Sequence, residues 1–407
     1  MAFSKEKLGS ILCMMTICLT ACGDDLSTMS PVVDYREIAQ PVEGQAVSAL
    51  DGTGTGESSG EDGTGSGIEG TGAGGPGTGM EGLESIPVEP GPEEVTITIT
   101  AAGDVTLGNY FEQEYSYSFC QTYAQVNDAG YFFENVYDIF ADDDMTIVNL
   151  EGPLTNAEER REGQTYSIKG DPAFVELLKY GNIETVSFGN NHRLDYGEQG
   201  SKDTVEVLEE AGIIYAFDNN LGIYETKGIR IGIVSVNEFS NGAIVEKTLE
   251  EGIRKFQEEE VNLIFACCHW GVEGDNYPED YQRILGKKCI DWGADLVIGH
   301  HPHVLQGIEE YQGKYIIYSL ANFCFGANRN PADKDTMIYR QTFTFIDGVK
   351  QEDTDIQVIP CQVSSVTSRN DYKPTPAEGS EAIRILNRIN EYSQDFGVQF
   401  DENGYLK

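Results

Sequence analysis

The chain has 407 residues, of which 68 are acidic and 27 are Lys or Arg, so the formal net charge at pH 7 is −41. Nucleic-acid binding and electrostatic docking on anionic lipid both need clustered basic side chains, and this charge balance argues against both. A hydrophobic fraction of 40% is enough for a sizeable core. Beyond the N-terminus, no apolar run reaches the length of about 18 residues that predicts a transmembrane helix.

Residues 1–22 have the pattern of an export signal. Lys5 and Lys7 give a positive start, and the apolar stretch that follows is short for a bilayer span. It ends in the sequence LTAC at 19–22, which resembles the lipobox of bacterial lipoproteins. We therefore expect Cys22 to be acylated and to anchor the protein at the extracytoplasmic face of the membrane. An ordinary cleaved signal with an incidental cysteine is the alternative.

Residues 23–94 are predicted to be a disordered, acidic, Gly-rich tether. They contain 15 acidic side chains and one basic side chain, that of Arg36. The stretch 51–82 is mostly Gly, Thr, Ser and Glu, and it has too few large apolar residues to offset the entropy of ordering. Chains of this kind are flexible and extended. Residues 95–407 are therefore predicted to form the globular part.

The globular part alternates between strand and helix patterns. Residues 95–100 have period two, typical of a strand, and Asp171 followed by Pro172 is typical of a helix start. Further strands are predicted at 145–150, 184–189, 230–236, 261–267 and 295–299, and helices at 171–180, 197–210, 245–259 and 279–292. The chain then becomes β-rich at 315–320, 340–346 and 356–366, before a last helix at 376–393. This order predicts an α/β fold with mixed sheets.

All five histidines of the chain follow predicted strands: His192, His269, His300, His301 and His303. Because ligands bind at the carboxyl ends of strands in open α/β sheets, we expect one shared polar site. Asp104, Glu151 and Asn191 occupy similar positions. A helix cap or turn acid is the alternative for either acid taken alone. Together, oxygen and imidazole donors favour Mn, Fe, Zn or Co over Ca.

Six motifs in order carry a family resemblance: GD at 103–104, NLE at 149–151, NNH at 190–192, HWG at 269–271, GHHPH at 299–303 and YSLANF at 318–323. Together they resemble the CapA-type capsule-biosynthesis family, associated with poly-γ-glutamate synthesis and built on a calcineurin-like metallophosphatase fold. The resemblance implies a four-layer αββα sandwich with mixed sheets.

The resemblance also implies roles for individual residues. His192 takes the place of the catalytic histidine. Thr106 stands where the family has a histidine, and Glu151 where it has an aspartate, so one ion position lacks an imidazole and one tight ion with a loose or absent second is expected. His300 is an alternative ligand in a shifted register. The implied ligands of one or two divalent ions are Asp104, Glu151, Asn191, His269, His301 and His303.

Two further side chains are candidates for substrate binding. Arg193 follows His192 at a position where related nucleotidases carry an acid. Its guanidinium either binds an anionic substrate group or forms a surface salt bridge. Asn322 follows the strand predicted after the histidine cluster, and it is expected near the site.

Three interpretations of the function stay open. The first is a cell-surface lipoprotein of the CapA type, involved in poly-γ-glutamate capsule synthesis or export, with a metal-dependent phosphoesterase-like site. The alternatives are a metal-dependent hydrolase with a substrate unrelated to capsule and a non-catalytic surface protein that binds polymer or partner proteins. The expected partners are the membrane, through the lipid anchor, and either the anionic polymer or other capsule synthesis proteins.

Overall fold

A computed structural model describes residues 92–110, 116–239, 242–352 and 355–407. The predicted signal at 1–22, its lipidation site Cys22, and residues 23–91 of the predicted tether lie outside the described residues. Regular structure begins at Glu94, one residue before the predicted start of the globular part. Within the described ranges, none of the helices is long and apolar enough to cross a membrane.

The strands are numbered in chain order over the described residues. They are β1 (Glu94–Thr106), β2 (Asn109–Tyr110), β3 (Met145–Leu150), β4 (Ile168–Lys169), β5 (Thr185–Ser187), β6 (Ile214–Ala216), β7 (Gly222–Thr226), β8 (Ile229–Asn237), β9 (Leu263–His269), β10 (Leu296–His300), β11 (Ile308–Tyr311), β12 (Lys314–Ile317), β13 (Asn322–Phe325), β14 (Asp335–Ile346), β15 (Val349–Lys350), β16 (Ile356–Gln362) and β17 (Thr375–Pro376).

The helices are numbered in the same way. They are α1 (Phe119–Val126), α2 (Tyr137–Ala141), α3 (Val175–Tyr180), α4 (Gly197–Ala211), α5 (Gly242–Glu258), α6 (Asp280–Trp292) and α7 (Gly379–Ser393), with 3-10 turns at Ala129–Phe132 and Pro172–Phe174.

Two mixed sheets form the framework. The larger has the order β17-β16-β14-β1-β3-β5-β6, with β13 beside β1 and β15 beside β14. In it, β1 is parallel to β3 and β13 and antiparallel to β14. The smaller has the order β11-β12-β10-β9-β8-β7, in which β8, β9, β10 and β12 are parallel. Parallel neighbours need long crossover connections, and this explains the alternation of strand and helix patterns in the sequence.

Three hydrophobic clusters define four layers. One cluster is shared by the facing surfaces of the two sheets and includes Ile99 of β1 and Phe265 of β9. A second includes Phe140 of α2 and Leu208 of α4, packed on the other face of the larger sheet. A third includes Leu249 of α5, packed on the other face of the smaller sheet. The order of helices, sheet, sheet and helices confirms the predicted αββα sandwich.

β1 changes the direction of its side chains as it approaches the site. Ile97, Ile99 and Ala101 belong to the cluster between the sheets, whereas Val105 belongs to the cluster under the helices. The pairing with β3 shifts register between Ala101 and Asp104. A shift of this kind re-aims the side chains that follow it, which here include the Asp104 carboxylate.

The helix predicted at 171–180 has a different beginning. Its first turn, Pro172–Phe174, is 3-10, and the α-helical part follows it as α3. The predicted cap is confirmed, because the Asp171 carboxylate accepts a hydrogen bond from the Ala173 N–H at 2.8 Å.

The strand predicted at 356–366 and the helix predicted at 376–393 are both shorter in the structure. β16 ends at Gln362, and a turn follows in which the Asp371 carboxylate accepts a hydrogen bond from the Ser365 N–H at 2.9 Å. α7 begins at Gly379 and not at Pro376. Pro376 and the preceding Thr375 form β17, which pairs with β16. Side-chain acceptors and short edge strands therefore override the helix and strand patterns here.

Candidate metal centre

The predicted site residues lie at the carboxyl ends of strands from both sheets. His269 and His300 are the last residues of their strands, whereas the other three histidines lie in the loops that follow. The larger sheet contributes Asp104 (β1), Glu151 (after β3), Asn191 and His192 (after β5), and the smaller sheet contributes His269 (β9), His300 (β10), His301 and His303 (after β10).

Glu151 lies at the centre of the site. It is buried, and neither carboxylate oxygen has a hydrogen-bond partner among the described residues. Oε1 lies 3.7 Å from Nε2 of His303 and 3.9 Å from Nε2 of both His192 and His269. Two ligands of one ion, each bound at about 2.1 Å, are at most about 4.2 Å apart. An ion held by Glu151, His269 and His303 would therefore satisfy the otherwise unpartnered carboxylate, with His192 beside it.

Opposing effects set the protonation state of the Glu151 carboxyl group. Burial raises the pKa of Glu151 to about 7, the charge of His303 opposes that rise, and the charge of Asp104 adds to it. Metal ligands bind in their deprotonated form, so a divalent ion would favour the carboxylate over the acid.

Asp104 is buried beneath two imidazoles. Its Oδ2 lies 3.0 Å from Nδ1 of His303, and its Oδ1 lies 3.3 Å from Nδ1 of His300. Asn149 donates a hydrogen bond of 2.9 Å to Oδ1. Burial favours the neutral acid, but His300 and His303 outweigh it and hold the pKa of Asp104 well below its usual range. Asp104 is therefore an ionised carboxylate, the form that binds a metal.

His269 connects Asn191 and His301 to the centre. Its Nε2 lies 3.0 Å from Oδ1 of Asn191 and 3.1 Å from Nδ1 of His301. Burial lowers the pKa of His269 well below its usual value, and a proton on His301 would lower it further. Burial and the charge of His303 lower the pKa of His301 to about 3. His269 and His301 are therefore neutral at pH 7 and each has a lone pair for an ion.

The loop that carries His301 and His303 has an unusual backbone. The φ angles of these two residues are 96° and 58°, in a region that residues other than glycine rarely adopt. Asn322 donates a hydrogen bond of 3.2 Å to the carbonyl of His303, and its own Oδ1 is buried without a partner among the described residues. Backbone strain of this kind persists only where surrounding contacts hold it. The predicted substrate-binding role of Asn322 stays a prediction.

His192 lies beside the centre, and Asp195 holds its imidazole ring through Nδ1. Its Nδ1 is 2.6 Å from Oδ2 of Asp195, a buried carboxylate that also accepts a hydrogen bond from the Ile168 N–H at 2.7 Å. Burial lowers the pKa of His192, but the hydrogen bond to Asp195 and the charge of Glu151 outweigh it, so the pKa is raised. The imidazolium is therefore favoured at this position.

Arg193 is engaged by protein groups. Its guanidinium donates hydrogen bonds to Ser201 Oγ at 2.9 Å and to Asp218 Oδ2 at 2.8 Å, and it lies over the Phe217 ring at 4.5 Å from the ring centroid. The structure thus contains the salt bridge that was the alternative for this residue. Its predicted contact with a substrate anion stays a prediction, and it would require Arg193 to leave these partners.

The donor set fits a divalent ion. One group of donor atoms within 4.8 Å of one another comes from Asp104, Glu151 and His303, and a second comes from Glu273, His301 and His303. Carboxylate oxygens and neutral imidazole nitrogens together suit first-row transition ions such as Mn, Fe, Zn or Co. The residues present therefore accommodate the predicted metal.

Three residues without a role in the sequence interpretation complete this arrangement. Asn149 links Asp104 to His269, since its Nδ2 is also 3.4 Å from Nδ1 of His269. Asp195 holds His192, and Glu273 is the carboxylate of the second donor group. Glu273 follows a strand as the predicted ligands do, so its position in the chain was the available signal.

The chain is similar to known capsule proteins. The sequence model of a family described as bacterial capsule synthesis protein PGA_cap matches residues 98–327. The PGA biosynthesis protein CapA of Bacillus subtilis (strain 168) is 29% identical over 249 residues, which cover 56% of this chain and 63% of that protein. The capsule biosynthesis protein CapA of Bacillus anthracis is 29% identical over 260 residues, which cover 57% and 61%. This chain thus spans less than two thirds of the length of both relatives.

Two more distant matches extend this comparison. A probable polyglutamine synthesis accessory protein of Mycobacterium tuberculosis is 22% identical over 290 residues, which cover 63% of this chain and 74% of that protein. Among solved structures, a hypothetical protein from Thermus thermophilus matches with a TM-score of 0.40 and 15% identity, covering 65% of this chain and 99% of that chain.

Proposed function

The chain belongs to the family of bacterial capsule synthesis proteins, and from that membership we propose that it serves the synthesis or export of a poly-γ-glutamate capsule at the cell surface. We further propose that its metal centre hydrolyses a phosphoester. The observation that carries the hydrolytic part is the buried Glu151 carboxylate, whose Oε1 has three imidazole Nε2 atoms within 3.9 Å and no hydrogen-bond partner among the described residues.

Electrostatics support a metal at this place. Asp104 and Glu151 are both buried, and two carboxylates without an ion would repel a phosphoryl group. When bound, a divalent ion supplies Lewis-acid polarisation and activates the attacking water. The residues that would hold it are Asp104, Glu151, Asn191, His269, His301 and His303.

His192 has the geometry of a general acid. The bond from Nδ1 to Asp195 orients the ring so that Nε2 faces the centre, 3.9 Å from Glu151 Oε1. The raised pKa of His192, which results from Asp195 and Glu151 acting against burial, favours the protonated ring. His192 can therefore donate the Nε2 proton to the leaving oxygen of a phosphoester bound beside it.

Elemental analysis and turnover test this proposal together. Purified protein is dialysed extensively, its metal content is measured, and hydrolysis of a chromogenic phosphodiester is followed with and without chelator. We expect at least one transition ion per chain, loss of turnover in chelator, and recovery on adding Mn²⁺ or Zn²⁺. Metal-free protein with full turnover in chelator would reject the metal-dependent mechanism.

The same experiment separates the alternatives. Bound metal without any turnover would favour a non-catalytic protein that binds polymer or partners through the centre. If the purified protein shows turnover, but deletion of its gene leaves the amount of capsule polymer unchanged, a hydrolase with a substrate unrelated to capsule is favoured. The proposed pathway requires that the deletion reduces the amount of surface polymer.

Membrane attachment through Cys22 is proposed from the LTAC sequence at 19–22. Cys22→Ala is expected to abolish incorporation of a fatty-acid label and to leave the signal uncleaved or release the protein, because the acylated thiol is absent. Metabolic labelling followed by membrane fractionation measures both effects. Cys18→Ala, in the same apolar stretch, is the matched control and should label as the unmodified protein does. Equal labelling of the Cys22 variant would contradict the anchor.

A further inference from the structure

Glu273 lies in a short turn that is fixed to the histidine loop. Gly271 and Gly274 on either side of it have φ angles of 86° and 79°, so the chain bends sharply at both. The Gly271 N–H donates to the Tyr281 hydroxyl at 2.6 Å, and the Gly274 N–H donates to the carbonyl of Pro302 at 2.8 Å. The turn after β9 is thereby attached to the loop after β10.

This attachment places the Glu273 carboxylate against two imidazoles. Pro302 separates His301 from His303, and one donor atom from each histidine and from Glu273 lies within 4.8 Å of the others. Glu273 is exposed, and none of the ion pairs formed among the described residues includes it.

We propose that Glu273 is a metal ligand that binds a divalent first-row transition ion together with His301 and His303 on the solvent-facing side of the centre. Two imidazole nitrogens and one carboxylate oxygen form a ligand set that such ions use in proteins. The inference rests on the proposed function only in that the centre binds metal, and it does not depend on turnover.

The two donor groups share one side chain. His303 belongs to both, and a neutral imidazole with its proton on one nitrogen offers one lone pair to an ion. His303 therefore serves either the buried group with Asp104 and Glu151 or the outer group with Glu273 and His301. Removing Glu273 takes a ligand from the outer group and leaves the buried carboxylates in place.

Cobalt binding to the full chain tests this assignment. Co²⁺ is titrated into metal-free Glu273→Gln and unmodified protein, and binding is followed by calorimetry and by visible absorption, which reports the coordination of the ion. We expect Glu273→Gln to weaken at least one binding event by about tenfold or more and to change the absorption spectrum, because one oxygen ligand is lost. Asp280→Asn, which removes an exposed charge seven residues away in α6, should change neither.

The outcomes distinguish this inference from the proposed function. Identical affinities and spectra for Glu273→Gln and Asp280→Asn would overturn the Glu273 assignment. If Glu273→Gln shows no effect but His269→Gln loses metal in the same series, only the Glu273 assignment is rejected and the metal centre itself stands. Absence of Co²⁺ binding to the unmodified protein would reject both. Because Glu273 is exposed, the melting temperature of the metal-free variant should match that of the unmodified protein.

Discussion

His269→Gln is expected to weaken binding of the tight metal ion on the order of 100-fold. His269 is the common neighbour of three other donors, since its Nε2 lies 3.0 Å from Asn191 Oδ1, 3.1 Å from His301 Nδ1 and 3.9 Å from Glu151 Oε1. Its lowered pKa keeps the ring neutral, so the unmodified protein needs little proton release from it to bind an ion. Competition with a chelator of known affinity measures the change.

The fold must be intact for this result to count. His269 ends a buried strand, and a change there also removes packing. Gln is used because it keeps a similar volume and a polar end group, and the melting temperatures of the metal-free proteins are compared directly. Unchanged affinity in a folded His269→Gln protein would contradict the ligand assignment.

His192→Gln is expected to reduce phosphodiester turnover by about 10²- to 10⁴-fold while metal affinity stays within about threefold. The loss follows from removing the group that donates a proton at Nε2. Metal is expected to be retained because His192 is not one of the proposed ligands, and His269 and His303 remain beside Glu151. Steady-state kinetics at saturating metal, together with a metal titration, give both numbers.

These two substitutions should therefore show opposite patterns when excess metal is supplied. The His269 variant should recover turnover as metal is added, whereas the His192 variant should not. A His192 variant that loses metal to the same degree as the His269 variant would make His192 a ligand. Unchanged turnover in His192→Gln would show that His192 is not the general acid.

The long central strands and helices were predictable because each carries enough residues to show a period. β1 alternates apolar and polar side chains, and α4 ends at Gly212 in the left-handed conformation that glycine favours. The elements that were missed are short or pack locally, such as α2 with five residues and β13 with four buried residues. Periods cannot be established over so few positions, and tertiary packing decides their conformation.

The candidate site also has a part that the sequence predicts and a part that it does not. Strand-end positions predicted that Asp104, Glu151 and His269 lie together, because parallel strands bring their carboxyl ends to one edge. The salt bridge between Arg193 and Asp218 joins residues 25 positions apart, and no local pattern encodes it. The proximity of Glu273 to the histidines likewise depends on contact between two separate loops. The sequence therefore predicts the donors in and directly after the strands, but it does not predict contacts between separate loops.

The pairing of β1 has a consequence for biosynthesis. β1 enters the larger sheet between β3 and β14, and its antiparallel contacts run from Glu94 with Ile346 to Ala101 with Tyr339. A nascent chain that has been translated only to residue 327, where the family match ends, does not yet contain β14. One edge of β1 then stays open to other chains, and such distant pairing is slow to form. Complete assembly of the larger sheet must therefore await translation of β14, and premature termination before it should yield aggregates.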